Sequence, residues 1–240
     1  MRAVTFETPG EPEVLRIVET NRPEPGPHEV LVRVHATALN RADILQRLGK
    51  YAPPPGAPEI LGLEASGVVE SRGPSAERWE VGDKVFGLLA GGGYAEFVVF
   101  SEDLLMPMPD MLSFAEAAAV PEAFLTAFQA LILIGQLSDQ ETALIHAGAS
   151  GVGTAAIQIA KLFGADVVVT ASIAKHGICS SLGASRIVDY RSEDFASAVL
   201  EHTAGRGADV ILDFIGAPYF AKNIRCSSVD ARIVLLALMG

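Results

Sequence analysis

Residues 142–156 read Thr-Ala-Leu-Ile-His-Ala-Gly-Ala-Ser-Gly-Val-Gly-Thr-Ala-Ala. An apolar run leads into three closely spaced glycines, and Gly151-x-Gly153-x-x-Ala156 fits the spacing by which a strand turns into a helix around a dinucleotide's diphosphate. In that chemistry the chain contributes no reacting side chain. It contributes unpaired backbone amides and the positive end of a helix dipole. Gly151 is expected to permit the tight turn, Gly153 to let the diphosphate approach the backbone, and Ala156 to let the helix lie close to the strand, with Val152 carried between the glycines. Ser150 either touches the ligand or bonds its own backbone, as turn residues do. The simpler alternative is a glycine-rich turn that only joins strand to helix. A strand before, a helix after and a second strand at the right distance argue for the dinucleotide.

The end of that second strand selects between cofactors. An unphosphorylated dinucleotide usually meets Asp or Glu about 20 residues past the glycines, where the acid binds the ribose 2′-hydroxyl. Here Val167 to Lys175 contains no acid, and Asp166 stands at the other end of the strand. Ser172 and Lys175 are placed to hold a 2′-phosphate, one by hydrogen bond and one by charge. NADPH is therefore expected over NADH, unless Lys175 is merely a solvated helix residue.

Composition narrows the classes. The chain has 240 residues, half of them apolar and a fifth charged, with 18 Lys+Arg against 29 Asp+Glu and a net charge of −11. A general nucleic-acid binder needs a basic face, and so does docking on anionic lipid. Two cysteines, Cys179 and Cys226, can supply neither a disulfide framework nor a four-thiolate zinc site. No run approaches the roughly 20 apolar residues of a membrane span, and the N-terminus lacks a signal core. A cytoplasmic setting is expected, with no nucleic-acid or membrane partner.

Two kinds of pattern divide the chain. The first part is β-rich, with short strands at Val30–Ala36, Gly67–Glu70, Lys84–Gly87 and Tyr94–Val99 set off by Pro/Gly clusters, which suits a small antiparallel barrel or sandwich. From Ser113, where Ser113-Phe114-Ala115-Glu116 has capping-box form, the chain turns helical and then alternates strand and helix. Strands are expected at Ala143–Ala147, Asp166–Thr170, Arg186–Tyr190, Asp209–Phe214 and Arg232–Leu238. Helices are expected near 155–163, 174–182, 192–203 and 218–229. Such alternation implies a parallel sheet with right-handed crossovers. The expected class is α/β, with a front domain at 1–112 and a doubly wound dinucleotide domain at 113–240.

The block Asn40 to Gly56, with its Pro53-Pro54-Pro55 loop, and the segment Leu61-Gly62-Leu63-Glu64-Ala65-Ser66-Gly67 resemble, together with the glycine loop, the medium-chain dehydrogenase/reductase superfamily. More narrowly they resemble its zinc-free quinone oxidoreductases, in the tumour-suppressor-inducible branch. The resemblance runs the length of the chain and implies a GroES-like front domain followed by a Rossmann domain. Zinc enzymes of the superfamily place a catalytic cysteine at the Asn40–Asp43 turn and a histidine at Leu63, so no metal is expected. Glu64 then reads as a buried acid bonded to a neighbouring arginine or to backbone.

Without a metal, hydride transfer relies on stacking the nicotinamide against an electron-poor acceptor, and a quinone needs only hydrogen-bond donors and a proton. Tyr51 is either that donor or an aromatic packed on prolines. Asn40 either holds ribose or acceptor, or caps a helix. The resemblance further implies Thr126 near the nicotinamide, Tyr190 near the adenosine, and Ile215-Gly216 and Met239-Gly240 lining the nicotinamide pocket. His146, after an apolar strand, reads as a core or loop donor rather than a base.

Two features depart from the family. Ala171 precedes Ser172 where a glycine is usual, and the turn is one residue shorter. Family members also continue past Met239-Gly240 with a sixth sheet strand. The chain thus reads as C-terminally truncated, with an apolar edge at its last strand and the family's edge-to-edge homodimer in doubt. The expected function is NADPH-dependent, metal-free reduction of quinones. The alternatives are reduction of an enone or enoyl group, and a shortened form that binds NADPH or a full-length partner without turnover.

Overall fold

The computed structural model describes all residues, Met1–Gly240. The chain forms two compact units, Met1–Glu122 and Ala123–Gly240. No helix is long and apolar enough to cross a membrane.

In chain order the first unit contains β1 (Arg2–Thr5), β2 (Arg16–Glu19), β3 (Glu29–Thr37), α1 (Arg41–Arg47), β4 (Glu64–Arg72), β5 (Lys84–Leu88), β6 (Phe97–Ser101), β7 (Leu105–Pro107) and α2 (Phe114–Ala118). β1 and β2 pair antiparallel, and the other strands form a five-stranded sheet in the order β6-β3-β4-β5-β7. Alternation sets the buried face: Val30, Val32, Ala65, Val69, Val85, Val98, Phe100 and Leu105 form one core with Trp79. The Trp79 indole donates to the Glu102 carbonyl at 2.9 Å, which satisfies its polar edge. The Ser113–Glu116 capping box forms as expected.

The second unit follows with α3 (Pro121–Phe128), which begins at its border, a π-helical turn at Gln129–Ile134, β8 (Thr142–Ile145), α4 (Gly151–Leu162), β9 (Asp166–Thr170), α5 (His176–Ser181), β10 (Arg186–Val188), α6 (Phe195–His202), β11 (Ala208–Asp213), α7 (Ala217–Arg225) and β12 (Ser227–Leu235). The sheet is parallel throughout, in the order β10-β9-β8-β11-β12. Both faces are covered. Ala143, Ile145, Val167, Val169, Val210 and Leu212 share a core with α3, the π-helical turn and α4, while Leu144, Val168 and Ile211 share one with α6. This is why these strands read as unbroken apolar runs rather than as alternation.

Several boundaries differ from the sequence expectation. Strands β1, β2 and β7 span only three or four residues, too few for a period to stand out. Strand β6 starts at Phe97, because Tyr94 and Ala95 bond elsewhere: the Tyr94 carbonyl accepts the Val4 amide at 2.8 Å and Ala95 bridges Ala3. Helix α7 ends at Arg225 rather than near 229, since Cys226 is buried and the chain turns at once to pair Ser227 with Ala208. The last strand therefore begins five residues early and ends at Leu235.

Leu144 is fully buried in the middle strand of the parallel sheet. Leu144→Ala should lower the stability measured by urea unfolding by about 2–5 kcal/mol, the usual range for a buried leucine truncation.

Candidate functional site

The strands of the second unit all run the same way, so the segments that follow them share one edge of the sheet. These segments are the glycine loop after β8, Ser172 and Lys175 after β9, Tyr190 after β10, Ile215-Gly216 after β11 and Met239-Gly240 after β12. The strand order reverses beside β8, and ligands of open parallel sheets bind in the crevice at that point. The Met239 and Gly240 amides donate to the Phe214 and Ile215 carbonyls at 3.1 and 3.0 Å, which brings the last two segments together.

The glycine loop follows a different division of labour from the one expected. A Cβ on Gly153 would lie 2.4 Å from the Ala147 carbonyl oxygen, so this glycine serves the contact between helix and loop. A Cβ on Gly151 would meet nothing closer than 4.0 Å, so the open space lies there. The left-handed residue of the turn is Ala147, with φ 49°, rather than a glycine. Ser150 caps α4, its Oγ accepting the Gly153 amide at 3.0 Å. The amides of Gly151 and Val152 find no acceptor in the chain and point from the first turn of a twelve-residue helix. Such a helix start suits an anion. Ala156 is fully buried in the core beneath.

At the end of β9, Ser172 is half-buried and Lys175 exposed, and neither side chain bonds within the chain. Asp166, at the opposite end of β9, accepts from the His202 ring at 2.7 Å. Tyr190 is 43% exposed, with the Arg191 guanidinium 5.7 Å from its ring. Thr126 lies on α3 and is half-buried.

The first unit holds Asn40 and Tyr51. Asn40 occupies the N-cap of α1. Its amide nitrogen donates to Glu64 Oε1 at 2.7 Å and its backbone amide to Asp43 Oδ2 at 2.7 Å. Tyr51 is 44% exposed beside Pro53-Pro54-Pro55, and its hydroxyl has no partner. Nothing brings the two together.

Around Asn40 lies a cluster that the sequence did not announce. Asp43 and Glu64 are 3% and 2% exposed. Tyr94 donates its hydroxyl to Asp43 Oδ2 at 2.9 Å, the Gly62 amide reaches Asp43 Oδ1 at 3.2 Å, and the Glu122 amide donates to Glu64 Oε2 at 2.9 Å. Of the two partners expected for a buried Glu64, arginine or backbone, it is backbone that bonds it, through the Glu122 amide, and the Asn40 side chain adds a second bond. Burial pushes the Glu64 and Glu122 carboxyls above the usual carboxylate range, against the bonds from Asn40 and the Glu122 amide in the case of Glu64, and with help from neighbouring carboxylates. Burial and Asp43 push the Tyr94 phenol up as well. The sequence signals were Glu64, read as a buried acid, and Asn40, read as a possible helix cap; neither pointed to Tyr94 or Glu122.

Comparison with known proteins follows the same division. Residues 26–110 match the alcohol dehydrogenase GroES-like domain family, and residues 151–240 match the family described as zinc-binding dehydrogenase. A quinone oxidoreductase of Pseudomonas aeruginosa is 38% identical over 227 residues, which cover 94% of this chain and 70% of that protein. The chain belongs to the medium-chain dehydrogenase/reductase superfamily. Two solved structures are similar over its length. The CurK enoyl reductase has a TM-score of 0.93 at 34% identity, covering 100% of this chain and 74% of that one. The Escherichia coli quinone oxidoreductase complexed with NADPH has a TM-score of 0.91 at 30% identity, covering 99% and 73%. A mycocerosic acid synthase-like polyketide synthase of Mycobacterium tuberculosis is 36% identical over 230 residues, 95% of this chain. The chain spans only 11% of that much longer protein.

The superfamily's zinc does not fit these residues. No three His, Cys, Asp or Glu side chains converge on one point, and both cysteines are buried within the second unit. The Asp43 and Glu64 oxygens already accept hydrogen bonds from fixed donors.

Two outcomes test the electrostatics and the loop. Gly153→Ala should destabilise the fold sharply in thermal melts, because the methyl meets backbone. Gly151→Ala should leave the melting temperature near its starting value but weaken dinucleotide binding. Glu122 accepts no hydrogen bond, and its raised pKa means that ionising it opposes folding. That contribution is absent at low pH, grows as pH rises past the ordinary carboxylate range and is complete above the shifted value. Glu122→Gln should therefore raise the melting temperature near neutral pH and leave it unchanged well below the carboxylate range.

Proposed function

We propose that the protein is an NADPH-dependent, metal-free oxidoreductase that delivers hydride to quinones, of the zinc-free quinone oxidoreductase type and its tumour-suppressor-inducible branch. The observation that carries the reading is the empty-handed edge of the parallel sheet. Unpaired amides at Gly151 and Val152 stand after β8, and an unpaired hydroxyl and ammonium at Ser172 and Lys175 stand after β9 with no acid between them. The amides suit a diphosphate, and the second pair suits a 2′-phosphate that a carboxylate would repel. The quinone oxidoreductase relative with NADPH bound supports the choice.

When bound, NADPH supplies the hydride. The chain's own residues do the rest: the loop after β8 grips the diphosphate, Tyr190 flanks the adenosine, and Thr126, Ile215-Gly216 and Met239-Gly240 line the nicotinamide end. Tyr51, exposed and with an unpartnered hydroxyl, is the proton donor to the reduced acceptor. Asn40 positions the acceptor side through α1.

A second reading, reduction of an enoyl group, is favoured by the similarity to the CurK enoyl reductase and to a polyketide synthase. NADPH oxidation measured with a quinone panel and with an enoyl thioester separates the two. Lys175→Ala should weaken NADPH by about tenfold, roughly 1.4 kcal/mol, while leaving NADH unchanged. A preference for NADPH that survives the substitution removes Lys175 from the site. Binding without turnover of either acceptor type favours the non-catalytic form.

A further inference from the structure

Beneath the phosphate loop, on the face covered by α6 and α7, runs a buried chain of polar groups that the function above leaves without a role. His146 follows β8 directly and is fully buried. Its Nδ1 lies 3.1 Å from Thr170 Oγ1 and its Nε2 2.8 Å from Asn223 Oδ1. Asn223, also fully buried, donates through Nδ2 to Asp213 Oδ2 at 3.0 Å. The other Asp213 oxygen accepts the amides of Ile215 and Gly216 at 2.7 and 3.0 Å. At the far end Thr170 Oγ1 accepts the Ala147 amide at 3.3 Å. Phe195 and Tyr219 close on the imidazole edge-on, with centroids 4.7 and 4.8 Å away.

Only one arrangement of protons satisfies every member. Asp213 receives three donors, so Asn223 turns its NH2 toward it and offers its carbonyl to His146. His146 must then carry its proton on Nε2, which leaves Nδ1 to accept from the Thr170 hydroxyl. Thr170 in turn accepts from Ala147. Burial drives the ring toward its neutral form, against the pull of Asn223 and Asp213. Thr170, His146 and Asp213 sit on or just after β9, β8 and β11, which are adjacent in the sheet.

We propose that His146 is a positioning residue: through this chain of hydrogen bonds it ties the left-handed turn at Ala147, which opens the phosphate loop, to the Ile215-Gly216 turn after β11, so that two rims of the nucleotide site are held as one body. The proposal rests on the nucleotide reading above and deepens it. A fully satisfied buried network holds its members in one geometry, and cutting it at any member removes the side-chain link between the two ends.

The test uses Thr170→Val and Asn223→Leu, singly and together, with NADPH affinity from fluorescence titration and folding checked by thermal melts. Each single substitution should weaken NADPH about tenfold, and the pair no more than the weaker single, because either cut severs the same link. Effects that multiply, or unchanged affinity in folded variants, overturn the proposal. Should the variants not fold, nitrogen-15 NMR of histidine in the unmodified protein decides. The Nε2-H tautomer should persist, with slow proton exchange, across about pH 5–8. The titratable groups around the ring are Asp213 from β11, Tyr219 and Lys222 from α7, the last over the Phe195 ring. An Nδ1-H tautomer, or titration within that range, overturns the link. Unmodified protein that binds no NADPH overturns the proposed function and the positioning role together, and the tautomer result tells that failure apart from failure of the link itself.

Discussion

A single close approach governs the second unit. The backbone of Gly153 comes so near the Ala147 carbonyl that any side chain would collide with it. That contact lets α4 begin directly over the turn that leaves β8, and so lets its first amides face outward with nothing in the chain to receive them. Everything else at this edge of the sheet is arranged around the position it fixes. The parallel register carries the segments after β9, β10, β11 and β12 to the same edge. The small core residues of α4, Ala155, Ala156 and Ala160, keep the helix close to the strands. A loop built this way recognises charge and shape through backbone, so its chemistry depends on packing rather than on any reactive side chain.

The sequence revealed this half well because its signals are local and redundant. Apolar runs, a glycine spacing and a missing acid all fall within one strand–helix–strand stretch. What it hid was the assignment of jobs inside the loop. Spacing alone cannot tell which glycine is crowded by backbone and which faces open space, and here the two roles are exchanged. The left-handed turn falls on Ala147, a residue no pattern would have chosen. His146 was legible as buried, but its partners come from β9 and from α7, 24 and 77 residues away. No periodicity reports such contacts.

In the first unit less was legible, for the same reason in reverse. Three of its strands, β1, β2 and β7, run only three or four residues and escaped notice. Its polar centre draws on Asn40, Asp43, Glu64, Tyr94 and Glu122, spread over several separate segments. The family resemblance drew attention to the loss of metal ligands at the Asn40–Asp43 turn and at Leu63. It left arginine and backbone open as partners of the buried Glu64; a backbone amide holds it, together with the Asn40 side chain, which was not foreseen.

The cluster around Glu64 and the chain through His146 are therefore opposites in their matching of donors and acceptors. The chain from Ala147 to Asp213 matches each acceptor with a donor and contains an imidazole that burial keeps neutral, so it opposes folding only as pH falls through the ordinary histidine value and the unfolded ring takes up a proton. The cluster around Glu64 has three carboxyl groups and donors for only two of them. Burial makes full ionisation there costly, and the strain grows as pH rises. Surface pairs work the other way. Arg232 holds Glu141 below the usual range, so that pair supports the fold until pH falls through the lowered value. Stability should then be bounded on the acid side by the second unit's ion pairs and on the alkaline side by the first unit's crowded acids. The buried histidine beneath the nucleotide loop adds to the acid-side limit, because the unfolded imidazole accepts a proton that the folded one refuses.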